Sequence, residues 1–137
     1  MIQDLLSFLD SSPVNFLAID TLSKRLKEAG FQQMDAASPI TDIEPGCQFF
    51  VTKNDSSLYA FRMGTKRLSE NGFHMICAHS DSPTFRIKPN AEITTEGGIV
   101  KLNTEVYGGP IMSTWFDRPL SLAGRVVLAG TDPMHPV

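Results

Sequence analysis

The sequence predicts an α/β fold, with helices at the start of the chain and a series of β-strands after them. A helical apolar pattern covers residues 14–26, and short strand-like segments separated by Gly, Pro and Asn follow it. The near-continuous apolar run at residues 73–78 is typical of a central strand buried on both faces of a sheet. The length of 137 residues fits one modest domain.

Two helices are expected before the first strand. Four apolar residues at helical spacing predict a short first helix: Ile2, Leu5, Leu6 and Leu9. For the second helix, Ser12 can act as the N-cap, with Pro13 at the first helical position. Gly30 is a natural stop, because glycine readily adopts the left-handed conformation that ends many helices.

The strands are predicted from apolar alternation and from the turn residues between them. Residues 32–46 are polar and predict a loop with one short strand. The next two strands, at residues 48–52 and 58–62, form a hairpin around a turn at residues 54–56. The remaining strands are predicted at residues 73–78, 84–88, 99–107 and 120–129.

Composition narrows the function classes and the cellular compartment. The net charge of −3 provides no basic surface for nucleic acid, and no apolar stretch is long enough to span a bilayer. Asp4 lies early and no basic segment precedes it, so a secretory signal is not expected. The two cysteines, Cys47 and Cys77, form no disulfide framework. We therefore expect a cytoplasmic protein with free thiols.

The tripeptide His79-Ser80-Asp81 is the strongest candidate site in the chain. It follows the predicted buried strand, and ligands collect at the carboxyl ends of strands in open α/β sheets. In extended chain, residues i and i+2 point to the same face, so the imidazole and the carboxylate can meet. A carboxylate often fixes the ring of a metal-binding histidine. The pattern indicates one metal ligand with its support, although a hydrogen-bonded strand-end pair without a metal is the alternative.

Other chemically suggestive residues have simpler interpretations. A nucleophile built from Cys77 and His79 is disfavoured, because a cysteine inside an apolar run is usually an inert core residue. His74 is expected on the opposite face from His79, and His135 is expected in an exposed loop. Trp115 is interpreted as a packing or interface anchor, and substrate contact is the less favoured alternative.

Five groups of segments, in order along the chain, resemble the aspartyl aminopeptidase family of zinc metallopeptidases. They are FLDSSP at 8–13, FFVTKN at 49–54 with SSL at 56–58, AHSDSP at 78–83 with RIKP at 86–89, EVYGG at 105–109 and STWFDRPLSLAGRV at 113–126. Any one of these segments would be weak evidence, but together they cover nearly the whole chain and are highly specific.

The resemblance implies a more detailed fold. Residues 1–90 resemble the N-terminal part of a zinc-peptidase α/β domain. Residues 91–137 resemble the start of an inserted, β-rich dimerisation domain that is incomplete here. The resemblance also implies assembly through dimers into larger homo-oligomers.

The resemblance further implies a chemistry and two site residues. Family members bind two zinc ions and remove N-terminal residues, preferably Asp or Glu, from peptides. His79 matches a family zinc ligand, and Asp81 matches the catalytic-site aspartate that supports that histidine. The remaining ligands and the general base belong to later parts of the family sequence, beyond Val137. The substrate-binding residues are not identified.

Two functional hypotheses follow from these patterns. The first is the N-terminal portion of a cytoplasmic zinc aminopeptidase, which we expect to be inactive by itself because most of its ligands are missing. The second is a non-catalytic assembly module, suggested by the β-rich second half and by strand edges that invite association. The two hypotheses differ in whether His79 is needed for zinc binding.

Overall fold

The computed structural model describes residues 1–39, 41 and 43–130, which form two compact units. The first unit is Met1–Asp81 with the described residues from Ala123 onward, and the second is Ser82–Leu122. Helices and strands both occur, as the predicted α/β class requires. Residue 90 lies inside strand β4 (Thr84–Thr94), and the predicted division into residues 1–90 and 91–137 stays a prediction.

Helices α1 (Ile2–Ser11) and α2 (Asn15–Glu28) confirm the two helices predicted from the apolar spacing. The predicted cap was wrong, because Val14 is the N-cap of α2 and makes no side-chain cap bond. Ser12 instead ends α1, where its backbone N–H donates to the Leu9 carbonyl. This bond fixes the position of Ser12 before α2 begins. Pro13 lies outside both helices.

The end of α2 follows the prediction made for Gly30. Gly30 has φ of +85°, and its N–H donates to the Lys27 carbonyl at 3.0 Å. The Phe31 N–H reaches back to the Leu26 carbonyl at 2.9 Å. These two bonds form a Schellman motif, which satisfies carbonyls at the helix end and turns the chain toward the sheet.

The first unit contains a three-stranded sheet in the order β1-β2-β3. Strand β1 (Gln32–Gln33) runs parallel to β2 (Gln48–Lys53), and β2 is antiparallel to β3 (Ser57–Arg62). The hairpin turn is confirmed, with Asn54 and Asp55 both at φ of +52°. Asn and Asp tolerate this left-handed conformation better than most residues, which explains their presence at the turn. Residues 40 and 42 of the predicted 32–46 loop lie outside the described residues.

The core of the first unit joins α2 to this sheet. Its buried apolar residues are Ala18 and Ile19 on α2 and Phe49 and Phe50 on β2. Phe49 stacks on Phe61 of β3, with ring centroids 4.9 Å apart. Successive residues of a strand point to opposite faces, so burial of both phenylalanines means that β2 is covered on both faces.

The predicted central strand at residues 73–78 was wrong. After the short helix α3 (Leu68–Asn71), this run pairs with none of the described strands, and the central strand of the sheet is β2. Its side chains are exposed, Ile76 completely so and Cys77 included. Both the strand and its burial were therefore wrong, because apolar composition does not supply the neighbour that a strand needs for its backbone hydrogen bonds.

The second unit is a two-stranded antiparallel ribbon of β4 (Thr84–Thr94) and β5 (Val100–Tyr107). β5 agrees with its prediction, whereas β4 is longer than the predicted 84–88. Pro89, the first residue after the predicted strand, falls in the irregularity between Ile87 and Glu92, where the register shifts. A bulge tolerates proline because no ladder hydrogen bond is needed there. Short 3₁₀ helices occupy Glu96–Gly98 and Met112–Trp115.

The last predicted strand, at residues 120–129, is also absent from the described structure. The chain there has no regular secondary structure, and Leu122, Val126 and Leu128 are exposed. As in the run at residues 73–78, the apolar pattern predicts a strand that the described residues do not form. His135 lies outside the described residues. No helix within the described ranges is long and apolar enough to cross a membrane.

We predict that Phe50→Ala lowers the free energy of unfolding by about 3–5 kcal/mol, because it leaves a cavity at the only fully buried large side chain of the described core. Urea denaturation followed by circular dichroism would measure the change. Tyr59→Ala is the matched control. Tyr59 lies on the same hairpin but is 62% exposed, and its loss should cost less than about 1 kcal/mol. Equal losses in the two variants would contradict this account of the core.

Candidate metal-binding site

The tripeptide His79-Ser80-Asp81 lies at the end of the exposed run, just before the chain enters the second unit. Residues 72–79 have no regular secondary structure, and a bend follows at Ser80. Along the tripeptide, His79 is exposed, whereas Ser80 and Asp81 are half-buried.

His79 and Asp81 meet, as the two-residue spacing predicts. The Nδ1 atom of His79 lies 3.1 Å from Oδ1 of Asp81, with the histidine side chain 92% exposed and the aspartate 32% exposed. An ionised carboxylate can only accept hydrogen bonds, so a neutral ring must carry its proton on Nδ1 to make this contact. The lone pair then lies on Nε2, on the exposed side chain, where it can coordinate a metal.

Ser80 anchors the tripeptide to the hairpin of the first unit. Its hydroxyl donates to the Ser56 carbonyl at 3.0 Å, in a half-buried position. The same hairpin turn receives Arg125, whose Nη1 atom donates to the Asn54 carbonyl at 3.3 Å and lies 3.8 Å from the Asp55 carboxylate. The Arg125 guanidinium also covers the Phe16 ring, 4.3 Å from its centroid.

Sequence reasoning missed both anchors. In the sequence, Ser80 is simply the residue between two candidate functional residues. Arg125 is the one charged residue in the apolar stretch 120–130, which could have indicated a specific partner. The identity of that partner was not accessible, because the contacts join residues 24 and 71 positions apart in the chain.

The donor chemistry fits zinc at one ligand position. A neutral imidazole oriented by a carboxylate is a common zinc ligand with its support. Within the described residues, no group of three or more His, Cys, Asp or Glu side chains is placed to hold a metal ion. The described part of the chain therefore provides one oriented ligand rather than a complete site.

Two residues near the tripeptide, His74 and Cys77, are exposed. His74 is exposed, and no ion pair or hydrogen bond of its side chain occurs within the described part of the chain. Cys77 is a free thiol and is exposed rather than buried, which corrects its assignment to the core. Exposure removes the original reason for calling Cys77 inert, but it does not assign the residue a function.

Trp115 packs in the second unit in the way its structural interpretation predicts. Its ring meets Phe85 of β4 edge to face, with centroids 5.1 Å apart. Edge-to-face pairs are a favourable aromatic arrangement. Nearby on the ribbon, the Arg86 guanidinium lies 3.5 Å from the centroid of the Tyr107 ring. The Phe85–Trp115 contact joins the ribbon to the 3₁₀ helix Met112–Trp115, and the Arg86–Tyr107 contact joins β4 to β5.

Comparison with known proteins identifies the family. The model of the aminopeptidase I zinc metalloprotease (M18) family matches residues 8–134, almost the whole chain. The chain belongs to the M18 family. This confirms the resemblance found from the ordered segments, and it places His79, Ser80 and Asp81 inside the matched region.

Individual M18 relatives agree in sequence and in fold. A probable M18 family aminopeptidase 2 of Clostridium novyi (strain NT) is 50% identical over 133 residues, covering 97% of this chain and 30% of the relative. A chain in the cryo-EM structure of the Ape4 and Nbr1 complex matches with TM-score 0.88 and 40% identity, covering 98% of this chain and 26% of that one. The S. cerevisiae mApe1 dodecamer structure matches with TM-score 0.83 and 26% identity, covering 95% and 31%.

These matches confirm the α/β fold class and show what share of an M18 protein the chain represents. The chain spans about 30% of the length of the curated relatives it matches. The roles of His79 as a zinc ligand and of Asp81 as its support stay predictions.

We predict that Asp81→Ala changes the tautomer of His79. In the unsubstituted chain at pH 8, ¹⁵N NMR should find the neutral ring of His79 mainly protonated on Nδ1, because Asp81 accepts that proton. Without Asp81, the proton should move largely to Nε2. His74, exposed and five residues away, is the internal reference and should not change. A His79 spectrum identical in both proteins would show that the contact does not set the tautomer.

Proposed function

We propose that this protein acts as a zinc-dependent aminopeptidase that removes N-terminal residues from peptides. The observation that carries the proposal is the His79–Asp81 contact of 3.1 Å, found within a chain that belongs to the M18 family. His79 would hold one zinc ion through Nε2. Asp81 would orient the ring and raise its basicity through Nδ1.

The proposal includes two zinc ions and further ligands. Zinc, when bound, supplies Lewis-acid polarisation of the scissile peptide carbonyl. The described residues contain no group of three potential ligands, so His79 needs partners beyond those described. We therefore propose that the 137-residue chain alone is inactive, and that turnover requires the protein produced from the full coding sequence. Turnover by the 137-residue chain at a rate near that of the longer protein would contradict this.

We predict that His79→Ala, in the protein produced from the full coding sequence, lowers zinc content and reduces peptide hydrolysis by about a thousandfold. Loss of an oriented metal ligand removes several kcal/mol of transition-state stabilisation. Metal analysis and an N-terminal Asp or Glu release assay would measure the two effects. His74→Ala is the matched control. It removes an exposed histidine from the same segment and should retain both zinc and activity.

A His79→Ala protein with full zinc content and full activity would rule out the metal-ligand role. A chelator provides an independent check, because activity lost on metal removal should return with added zinc. Failure of zinc to restore activity would contradict a zinc enzyme.

Preference for acidic N-terminal residues is also part of the proposal. It is supported by the similarity of the ordered sequence segments to those of aspartyl aminopeptidases. The same assay with N-terminal Asp, Glu and Leu peptides would compare kcat/KM among them. A higher kcat/KM for the Leu peptide would overturn the acidic preference while leaving the aminopeptidase proposal intact.

The second candidate function is homo-oligomeric assembly, either as part of the enzyme or as the function of a non-catalytic module. The β4–β5 ribbon favours it, because each strand pairs only with the other within the described residues, and Ile93 on β4 and Val100 on β5 are exposed. Unpaired edges with exposed apolar side chains promote association. The mApe1 dodecamer, a matching structure, supports a homo-oligomer in particular.

Light scattering on the purified protein would test assembly, and a stable monomer at micromolar concentration would argue against it. The His79→Ala result separates the two functions, because a purely non-catalytic module should lose neither zinc nor assembly.

A cytoplasmic location completes the proposal. It is supported by the two free thiols of Cys47 and Cys77, and recovery of the native protein outside the cytoplasm on fractionation would contradict it.

A further inference from the structure

The His79-Ser80-Asp81 segment belongs to no β-ladder of the described strands. Residues 72–79 pair with none of the described strands, and His79 itself is exposed. A ligand must nevertheless be held within about half an ångström of its working position to form a precise metal site. Some other contact therefore has to fix the backbone of the tripeptide.

The Ser80 hydroxyl makes such a contact. It is half-buried and donates to the Ser56 carbonyl at 3.0 Å. The bond joins the centre of the tripeptide to the turn of the β2–β3 hairpin. Because Ser80 is covalently flanked by His79 and Asp81, fixing its position restricts both neighbours at once.

The acceptor itself is held firmly. The Ser56 N–H donates to the Lys53 carbonyl at 3.1 Å, and the hairpin is paired up to Lys53 and Ser57. From the other side, Arg125 binds the Asn54 carbonyl while its guanidinium lies over Phe16 of α2. The turn is thereby connected to both the sheet and a helix of the first unit.

We propose that Ser80 is a positioning residue of the metal site, which acts by fixing the backbone that carries His79 and Asp81. The inference rests on the proposed function, since it assumes that His79 binds zinc. Arg125 supports it by holding the turn that carries the acceptor. Ser80 is not expected to touch zinc or substrate.

The test compares three substitutions in the protein produced from the full coding sequence. Ser80→Ala removes the hydroxyl, and Ser80→Thr keeps it. Ser82→Ala is the matched control, because Ser82 is an exposed serine of the same motif. Zinc affinity would be measured by competition with a chromophoric chelator. The visible spectrum of the Co²⁺-substituted protein would report the ligand geometry, and thermal unfolding would be followed in parallel.

Ser80→Ala should weaken zinc binding about tenfold and alter the Co²⁺ spectrum, the size of effect typical of groups that orient ligands. Ser80→Thr should restore both properties, and Ser82→Ala should resemble the unsubstituted protein. A zinc affinity of Ser80→Ala within twofold of the unsubstituted value would overturn the inference. An equal loss in Ser82→Ala, or no rescue by threonine, would overturn it as well.

His79→Ala, measured alongside, separates this inference from the proposed function. If His79→Ala loses zinc while Ser80→Ala retains it, the positioning role fails and the metal-ligand role stands. If His79→Ala retains all zinc, the proposed function itself fails, and the positioning role fails with it.

Discussion

Burial of β2 on both faces is the constraint on which the first unit depends. Phe49 and Phe50 point to opposite sides of one strand, and both are buried. That requirement places α2 against the sheet and pairs β2 with β1 and β3. The hairpin turn that leaves β2 is held in place as a consequence. The turn carbonyls then serve as fixed acceptors for side chains from distant parts of the chain.

Local patterns predicted the elements whose stabilising contacts are local. The helices follow from apolar spacing, the end of α2 from Gly30, and the hairpin from Asn54 and Asp55, because each signal acts within a few residues. The runs at 73–78 and 120–129 were predicted as strands and are not, because apolar composition indicates suitability for burial and says nothing about which strand lies alongside. The Ser12 cap failed for a related reason, since the end of the preceding helix already fixes that residue.

In the candidate site, too, local contacts were predictable from the sequence and long-range contacts were not. The contact between His79 and Asp81 was predictable from their spacing of two residues, and the structure makes it across a bend at Ser80. Ser80 and Arg125 were not predictable, since their partners are set by how the hairpin packs. The family match confirms what the ordered sequence segments implied, namely that this tripeptide lies within a sequence of the zinc metalloprotease (M18) family.

The shared anchorage of Ser80 and Arg125 on one turn has a consequence for how such a protein can vary. The chain leaves the first unit just after Ser80 and returns just before Arg125. Both points are attached to carbonyls only two residues apart, at Ser56 and Asn54. A segment with its two ends held side by side can be lengthened, shortened or exchanged at little entropic cost to the scaffold. The second unit is therefore attached in the way expected of an interchangeable module. Its length and sequence are free to diversify while the residues beside its junction stay in place.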